Sequence, residues 1–324
     1  MSVLSENVQT TAAPTVTDAP VLVIPLSSDG VLTLQGPDAH KFLQGQSTTD
    51  VNQVTAHCSR LGSLANLKGR AIVSFRAVEW QEQTLHLLMD APLVAKAQAL
   101  LQKYIVFSKA KLTTPDIALI GVIGEQAAAL LSRIFGVCPA NTDDCVSTAE
   151  AAIVRVHGDH RFIVLVDRAQ HAGIWSQLTA EATVGGLNQW RLAQIEAGET
   201  QVLADTSELY QPQELNLPSL NGVSYNKGCY TGQEIIARLH FRGKLKQWSH
   251  RFVAATGVVP ALNSVLYDAD GQSQGHVVLA AQRDEQTVEL LALVRHDHKD
   301  SVVLGAERCP LQCLPLPYIV EVKE

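Results

Sequence analysis

The stretch Asn226-Lys227-Gly228-Cys229-Tyr230-Thr231-Gly232-Gln233-Glu234 sets a thiol and an amine at the entrance of a predicted helix. Apolar residues then recur at helical spacing, and Gly243 is the predicted stop. Thr231 and Glu234 fit a capping box, in which two side chains satisfy free backbone N–H groups at the helix start. A helix that begins here brings the positive end of its dipole close to Cys229.

Two features of this stretch favour the thiolate form of Cys229, namely the helix dipole and the nearby amine of Lys227. The sequence therefore makes Cys229 a candidate reactive sulfur, with Lys227 as its neighbour in the same site. The alternative is a buried and inert cysteine in a tight glycine-flanked turn, since free cysteine is among the most buried residue types.

Basic residues are concentrated around and after this stretch, although the chain is acidic. The 324 residues carry a net charge of −7, which excludes a protein-wide basic surface for nucleic acid. Residues 227–251 nevertheless hold several basic side chains and only Glu234 as an acid. This basic strip, which includes Arg238, Arg242 and Lys244, predicts contact with an anionic ligand or a phosphate. The alternative is a solvated helix end.

The composition is that of a globular protein with a substantial core, with 46% hydrophobic and 18% charged residues. The six cysteines show no C-x-x-C spacing, so a cysteine zinc site is not expected and a reducing compartment fits. No apolar run reaches the roughly 20 residues of a membrane span. Residues 1–20 lack the cationic start of a signal peptide. We therefore expect a disordered tail over residues 1–20 and a cytoplasmic protein without a membrane partner.

The predicted elements repeat the order strand, helix, strand, strand, helix, first within residues 21–112 and again within residues 113–186. Over residues 247–324 the strands are short and no helical period is visible, which predicts a β-barrel or sandwich. A predicted helix at 187–197 and an aperiodic segment at 205–226 lead into the cysteine motif. The predicted fold class is α+β, with two mixed α/β lobes and a C-terminal all-β domain.

The residues Lys227–Glu234, K-G-C-Y-T-G-Q-E, resemble the signature of the YgfZ family of tRNA-modifying, folate-binding proteins. That family is related to the aminomethyltransferase T protein of the glycine cleavage system. Other stretches match the family's motifs in the same order and extend the resemblance from about Val31 to Tyr318. They are Gly36–Asp38, Phe42–Gln46, Asp50–Val51, Ile195–Gly198, Pro212–Leu217 and Phe241–Gly243.

The resemblance implies a central folate pocket, with tetrahydrofolate or a folate derivative as cofactor. The folate-binding domain would be discontinuous, formed by residues 21–112 and 187–246. Residues 113–186 would form a ferredoxin-like α+β domain, and residues 247–324 a β-barrel. The implied role is that of an accessory protein in the assembly or repair of iron–sulfur clusters, and thereby in tRNA methylthiolation. Its partners would be folate and iron–sulfur proteins, including enzymes that thiolate tRNA.

The resemblance also assigns site residues. Trp190 would stack on a folate ring, as a flat indole face can, the alternative being a core tryptophan on the buried face of its helix. Glu196 would hydrogen-bond the pterin, the alternative being an exposed helix residue. Tyr230 would line the pocket or pack beside it, and Arg242 would bind the glutamate tail of folate or RNA phosphates. The family's second folate-contacting tryptophan is missing, because Ser28–Gly30 occupies its place.

The T protein's catalytic aspartate is missing as well, since the corresponding stretch Gly69–Phe75 holds neither Asp nor Glu. This indicates that the chain is not a conventional aminomethyltransferase and makes Cys229 the centre of any remaining chemistry. One thiolate cannot hold a cluster in the usual four-thiolate manner, so Cys229 is expected to be a transient ligand of iron or a cluster, or a nucleophile. No permanent metal site is expected.

Two other functions stay open. One is a folate-dependent one-carbon transferase, which would need a substitute for the missing aspartate. The other is a direct tRNA-binding module that uses Arg238, Arg242 and Lys244, whose affinity would fall steeply with salt because bound cations are released from the phosphates.

Overall fold

The computed structural model of the chain describes residues 19–320 and residue 322. The predicted disordered tail at 1–20 therefore lies outside the described residues, except for Ala19 and Pro20. Within the described part, six α-helices accompany two open sheets and one closed barrel. The helices are α1 (Ala39–Gln44), α2 (Val94–Gln102), α3 (Ala127–Phe135), α4 (Arg168–Thr179), α5 (Leu187–Glu196) and α6 (Gln233–Phe241).

The first lobe contains a five-stranded sheet in the order β3-β4-β5-β2-β6. Its strands are β2 (Asp29–Gln35), β3 (Arg60–Ala65), β4 (Ala71–Gln81), β5 (Thr84–Asp90) and β6 (Lys111–Thr113). Successive side chains of a strand point to opposite faces. Leu32 and Leu34 accordingly pack against α1 and α2, whereas Val31 points the other way, into the core shared with the second lobe. Both faces of this sheet are therefore covered.

The second lobe has a six-stranded sheet in the order β11-β1-β7-β10-β9-β8. Its strands are β1 (Leu22–Pro25), β7 (Ile117–Ile123), β8 (Cys145–Ser147), β9 (Ala151–Arg155), β10 (Arg161–Asp167) and β11 (Thr183–Val184). Helices α3 and α4 share the core on one face, while Leu119 and Leu165 face the first lobe. The two lobes thus pack sheet against sheet, with their helices outside.

The repeat predicted from the sequence is present and is longer than predicted. Each unit also contains a strand that the hydrophobic pattern did not reveal, β3 in the first unit and β8 in the second. One placement needs correction. Residues 21–112 were predicted to belong to the first lobe, but β1 pairs with β7 in the second sheet. There it takes the position that β6 takes beside β2 in the first sheet.

The predicted C-terminal β domain is confirmed as a closed barrel in the order β12-β15-β14-β13-β16-β17. Its strands are β12 (Trp248–Ala254), β13 (Val265–Tyr267), β14 (Ser273–Gln282), β15 (Val288–Val294), β16 (Val303–Leu304) and β17 (Cys309–Leu314). The sequence pattern missed β17, which pairs with β12 and β16 and so closes the barrel. Residues of β14 and β15 pack with α5 and the first lobe in one core.

The segment between α5 and α6 has little regular structure but is well packed. Leu215, Leu217 and Leu220 are buried, and two short 3₁₀ turns, Ala204–Thr206 and Leu217–Leu220, interrupt it. Its backbone is tied to β4, because the amide of Val202 donates to Ser74 Oγ at 2.8 Å. This packing fixes α6, and the cysteine motif before it, against the first lobe.

Candidate functional site

A cavity lies where the two sheets meet α5, and we call it the Trp190 cavity. Its volume is about 50 Å³. Residues from both lobes, from α5 and from the segment after α5 line it. They are Leu26, Asp29, Leu61, Ser74, Phe75, Arg76, Leu88, Leu119, Ile163, Trp190, Gln194, Glu199 and Gln201. The lining combines apolar side chains with polar members that supply carboxylates, amides and a guanidinium.

Trp190 is buried in the core that the two lobes share. Its ring lies directly against β7 at Gly121, where a Cβ atom would come within 2.7 Å of Trp190 Cε3. Glycine at this position is therefore what allows the indole to occupy the interface between the lobes. The Arg161 guanidinium lies 4.6 Å from the centroid of the ring, within cation–π range.

Charged side chains lie beside the indole and are almost completely buried. Arg76 Nη1 donates to Asp143 Oδ1 at 2.6 Å, and Arg76 Nη2 lies 3.9 Å from Glu199 Oε2. Arg161 Nη1 reaches the same Glu199 oxygen at 3.5 Å. Arg76 Nη2 also donates to His157 Nδ1 at 3.3 Å, and burial lowers the pKa of His157. The result is a fixed polar wall in an environment of low dielectric constant.

This wall has unused hydrogen-bonding capacity. Among the described residues, Nε and Nη2 of Arg161 are buried and have no hydrogen-bond partner. Buried donors are nearly always satisfied by protein, by ordered water or by a ligand. The donors next to Trp190 are therefore available to an ordered water or a bound polar molecule.

Asp29 is the cavity residue that the sequence did not reveal as functional. Gln201 Nε2 donates to its Oδ1 at 2.8 Å. Burial raises the pKa of Asp29 to about 6, a shift that the Gln201 bond opposes and the nearby Asp90 carboxyl increases. The stretch in which the resemblance places an acid, Gly69–Phe75, contributes Ser74 to the cavity instead. The carboxyl comes from Ser28–Gly30, where the resemblance places a tryptophan.

The chemistry of the lining fits a pterin. Trp190 offers an apolar ring, and the carboxyl of Asp29 and the amides of Gln194 and Gln201 can pair with the donor and acceptor edge of a heterocycle. The space is small, because small-molecule pockets usually measure roughly 300–1,000 Å³. A pterin ring would therefore enter only after lining side chains move outward.

The cysteine motif lies on the outside of the first lobe. Cys229 is exposed, and no atom lies within 4 Å of the position that a Cβ on Gly228 would occupy. The predicted capping box is wrong. The N-cap is Gly232, with φ of +83°, and a Cβ there would lie 2.5 Å from Asn66 O. Only glycine tolerates both this backbone conformation and this close approach.

The side chains assigned to the box have other positions. Thr231 Oγ1 donates to Gln46 Oε1 at 3.4 Å, and the amide of Tyr230 donates to Gln233 Oε1 at 3.3 Å. Glu234 is exposed in the first turn of α6. The first turn thus attaches the motif to the loop that follows α1.

Lys227 holds the same loop. Its Nζ donates to the carbonyl oxygens of Gln44, Ser47 and Thr49 at 2.6, 2.7 and 2.7 Å. Burial lowers the pKa of Lys227 to about 8, a shift that the Asp50 carboxylate opposes by stabilising the ammonium form. All three ammonium donors are engaged by the loop. The amine predicted to favour the thiolate of Cys229 is therefore engaged by the backbone of this loop.

The remaining predicted site residues lie apart from the Trp190 cavity. Tyr230 is buried in the first-lobe core beneath Lys227 Nζ, which is 4.9 Å from its ring centroid, and burial raises its pKa to about 12. Glu196 is half-exposed, and its Oε1 lies 3.7 Å from Arg251 Nη2 of the barrel. The glutamate that lines the cavity is Glu199, three residues later.

Arg242, Lys244 and Lys246 are exposed just after α6, and Arg238 is exposed in its last turn. Within residues 19–320 and 322, none of these four forms an ion pair, so their charges face solvent unneutralised. Contact of these side chains with an anionic ligand or tRNA stays a prediction.

A second cavity, of about 270 Å³, lies between α6, the preceding segment and the start of the barrel. Trp248 and His240 are among its lining residues, together with Leu239 and Asn216. It is larger than the Trp190 cavity, but its lining residues include no Asp or Glu. This second cavity is therefore the natural control site for ligand-binding experiments.

The described part of the chain offers neither a preformed metal site nor a membrane span. No group of three or more His, Cys, Asp or Glu side chains there is arranged to hold a metal ion. All six cysteines, which the structure describes, carry free thiols. No helix in the same part is long and apolar enough to cross a membrane.

Comparison with solved structures identifies the architecture. The chain superposes on the glycine cleavage system aminomethyltransferase T from Bartonella henselae with a TM-score of 0.74, covering 94% of this chain and 88% of that chain. The chain has the aminomethyltransferase T fold. Sequence identity with that protein is 16%, so the likeness concerns the fold alone.

A second match, to the heterotetrameric sarcosine oxidase from Corynebacterium sp. U-96, covers 50% of this chain and 83% of that chain. Its TM-score is 0.36 and the sequence identity is 14%. No protein-family model matches the sequence. The aminomethyltransferase T fold therefore rests on the first superposition and on the sheets, helices and barrel described above.

Proposed function

We propose that this chain is a cytoplasmic folate-binding accessory protein of the YgfZ kind, and that a reduced folate binds in the Trp190 cavity. The observation that carries the proposal is the pairing of Trp190 with the buried carboxyl of Asp29 in one cavity of an aminomethyltransferase T fold. Tetrahydrofolate, when bound, would supply a carrier for one-carbon units.

The residues of the cavity have distinct tasks in this proposal. Trp190 gives the heterocycle an apolar surface, and its position is fixed by Gly121 and Arg161. Asp29, with a pKa of about 6, holds or accepts a proton at the polar edge of the ring near neutral pH. Glu199 lies between Arg76 and Arg161 and orients their donors.

The second part of the proposal concerns the exposed thiol. Cys229 would act as a transient ligand for iron or a cluster, or as a nucleophile, in support of iron–sulfur proteins that include tRNA-methylthiolating enzymes. Its exposure and the open space around Gly228 give a partner protein access to the sulfur. Lys227 would keep the neighbouring loop in place rather than contact the partner.

Calorimetric titration with tetrahydrofolate tests the first part. We expect Trp190→Phe and Asp29→Asn each to weaken binding by about tenfold or more, since each removes ring surface or a charge-assisted hydrogen bond. Trp248→Phe, in the second cavity, is the matched control and should change affinity less than about twofold. Equal losses for Trp190→Phe and Trp248→Phe, or a loss confined to Trp248→Phe, would place the folate elsewhere.

The activity of an iron–sulfur tRNA-methylthiolating enzyme in cells tests the second part. Cells that carry only the Cys229→Ala variant should show a loss of methylthiolated tRNA comparable to cells without the protein. A Cys58→Ala variant provides the control, because Cys58 is a free thiol hydrogen-bonded by Arg60 in the first lobe. Full support of the enzyme by Cys229→Ala would remove the thiol from the proposal.

The position of Asp29 favours a second candidate, a folate-dependent one-carbon transferase. A carboxyl of raised pKa in the cavity can supply the proton transfer for which the stretch Gly69–Phe75 has no acid. Turnover of methylene-tetrahydrofolate with an amine acceptor would support this function if the rate fell at least about a hundredfold in Asp29→Asn. If the wild-type chain binds folate but shows no turnover, the transferase function is ruled out and the accessory role is retained.

A further inference from the structure

A short turn on the first lobe exposes three large apolar side chains. Tyr104 is 50%, Val106 71% and Phe107 98% exposed, although Ile105 between them is 5% exposed and anchors the turn in the core. Single exposed apolar residues are common, but three on one anchored turn form a patch of the kind found at interaction sites. Because Ile105 fixes the turn, the patch is presented in a defined position.

This patch forms one side of an open groove of about 340 Å³. We call it the Phe107 groove, and the residues that line it include Lys41, Phe42, Gly45, Gln46, Tyr104 and Phe107. Its opposite side is the end of α1 and the loop after it. The groove is therefore open to solvent, and its lining combines aromatic with polar and charged side chains.

The groove and the cysteine motif share a wall. Gln46 lines the groove and accepts a hydrogen bond from Thr231, two residues after Cys229. Lys227 binds the carbonyl oxygens on both sides of Gly45–Gln46, those of Gln44 and Ser47. A molecule seated in the groove therefore has the exposed Cys229 at its edge.

The surroundings of the groove are basic. Lys41, Lys103, Lys109 and Lys111 are exposed, and none forms an ion pair with another described residue. Asp38 is the acid that lines the groove, and its Oδ2 already accepts a hydrogen bond from the Lys109 amide at 2.7 Å. In a chain of net charge −7, this local field selects an acidic occupant.

We infer that the Phe107 groove is a docking surface for a partner protein, which inserts an apolar side chain flanked by Asp or Glu and so comes to lie beside Cys229. The aromatic side chains of Phe42, Tyr104 and Phe107 in the groove suit an inserted apolar anchor residue, the usual centre of a protein interface, and Lys41 suits a neighbouring acid. The lining residues include no arginine, and the exposed Val106 lies on the same turn as Phe107; both fit a protein better than a stacked nucleic-acid strand. The inference does not depend on folate binding.

A peptide selection tests the surface and needs no identified partner. A phage-displayed library of random peptides is selected on the full-length chain, and the enriched peptides are synthesised and titrated by fluorescence anisotropy. We expect an apolar anchor with neighbouring Asp or Glu, and an affinity that falls at least about tenfold in Phe107→Ser and in Lys41→Glu. Folding should be unchanged, because both residues are at the surface.

Matched controls decide where the peptides bind. Val106→Ser should weaken binding, whereas Val258→Ser, which changes a valine of similar exposure (74%) in the barrel, should not. Peptides that bind Phe107→Ser as well as wild type, or that are basic, would overturn the inference. So would an oligouridine strand or a phosphatidylglycerol vesicle that binds through Phe107 when the peptides do not.

The inferred proximity of the bound peptide to Cys229 is tested by a separate labelling experiment. A selected peptide carrying a chloroacetyl group at its end alkylates a thiol by forming a carbon–sulfur bond as chloride leaves and the thiol proton passes to buffer. Docking raises the effective concentration of this group at Cys229, so labelling should be at least about tenfold faster in wild type than in Phe107→Ser. Equal rates would show that the groove does not place its occupant beside the thiol.

Discussion

The Trp190 cavity and the Cys229 motif, to which we assign the two parts of the proposed function, are built in opposite ways. The cavity lies between two sheets, and buried charged groups pair beside it. The motif lies on the surface and exposes its thiol. Its turn is held by Lys227, whose ammonium group donates to backbone carbonyl oxygens such as that of Ser47. Burial suits the first region to selective binding, and access suits the second to reaction with another macromolecule.

The comparison indicates that stability and function depend on the same residues in the cavity but on different residues in the motif. Changes in the cavity should affect folding and ligand binding together, because the same buried groups serve both. In the motif, the support residue Lys227 and the reactive residue Cys229 are separate. Substitutions there should therefore separate stability from function.

The largest effect is expected at the buried charges of the cavity. Arg76→Leu leaves Asp143 and Glu199 buried with fewer partners, which should lower the free energy of unfolding by about 3–5 kcal/mol. Urea denaturation followed by circular dichroism measures this. Arg168→Leu is the control, since its ion pair with Asp116 is exposed and should be worth about 0–1 kcal/mol. Similar losses for the two variants would contradict the view that the cavity depends on buried charge.

Lys227→Met should have the next largest effect. It removes three hydrogen bonds from an ammonium group to buried carbonyls, so we expect a loss of about 2–3 kcal/mol. Amide hydrogen exchange should become faster in residues 44–49, the loop that Lys227 holds. Lys96→Met, which breaks an exposed ion pair with Glu208, should leave exchange there unchanged. Unaltered exchange in Lys227→Met would show that the hydrogen bonds of Lys227 do not stabilise this loop.

Asp29→Asn should stabilise the protein in a pH-dependent manner. The folded-state pKa of about 6 lies above the usual value of 3.8, so the folded protein binds a proton that the unfolded chain releases between these values. Wild-type stability therefore falls as pH rises through this window, by about 3 kcal/mol in total, and the amide of the variant, which does not titrate, removes that fall. The advantage of the variant should be smallest near pH 4 and complete above about pH 7. An advantage that does not change with pH would contradict the shifted pKa.

Much of the fold followed from the sequence because it depends on hydrophobic periodicity. The spacing of apolar residues such as Leu32 and Leu34 in a strand, or Leu130 and Leu131 in a helix, marks the face of the element that is buried. The strands that were missed lack this signal. β3 contains Gly62 and Ser63, and β17 contains Pro310, which is tolerated because the strand is short and at the closure of the barrel. The pairing of β1 with β7 is a long-range contact that no local pattern records.

The candidate site was predictable only where a residue type is unusual in itself. Cys229 in its glycine-rich turn and Trp190 on its helix could be singled out from the sequence. Asp29 could not, because its raised pKa arises from burial between two lobes that the sequence does not show to be in contact. Thr231 had the right type for a cap, but tertiary contacts direct it to Gln46 and leave the cap to Gly232.

The most direct test of the division between the two regions is the affinity of Cys229→Ala for tetrahydrofolate, measured beside its support of tRNA methylthiolation. Because Cys229 is exposed and does not line the Trp190 cavity, the variant should fold with wild-type stability, within about 0.5 kcal/mol, and bind folate within about twofold of wild type. It should nevertheless fail to support methylthiolation. Loss of folate affinity together with function, or retention of both, would contradict a buried binding site that works with a separate surface thiol.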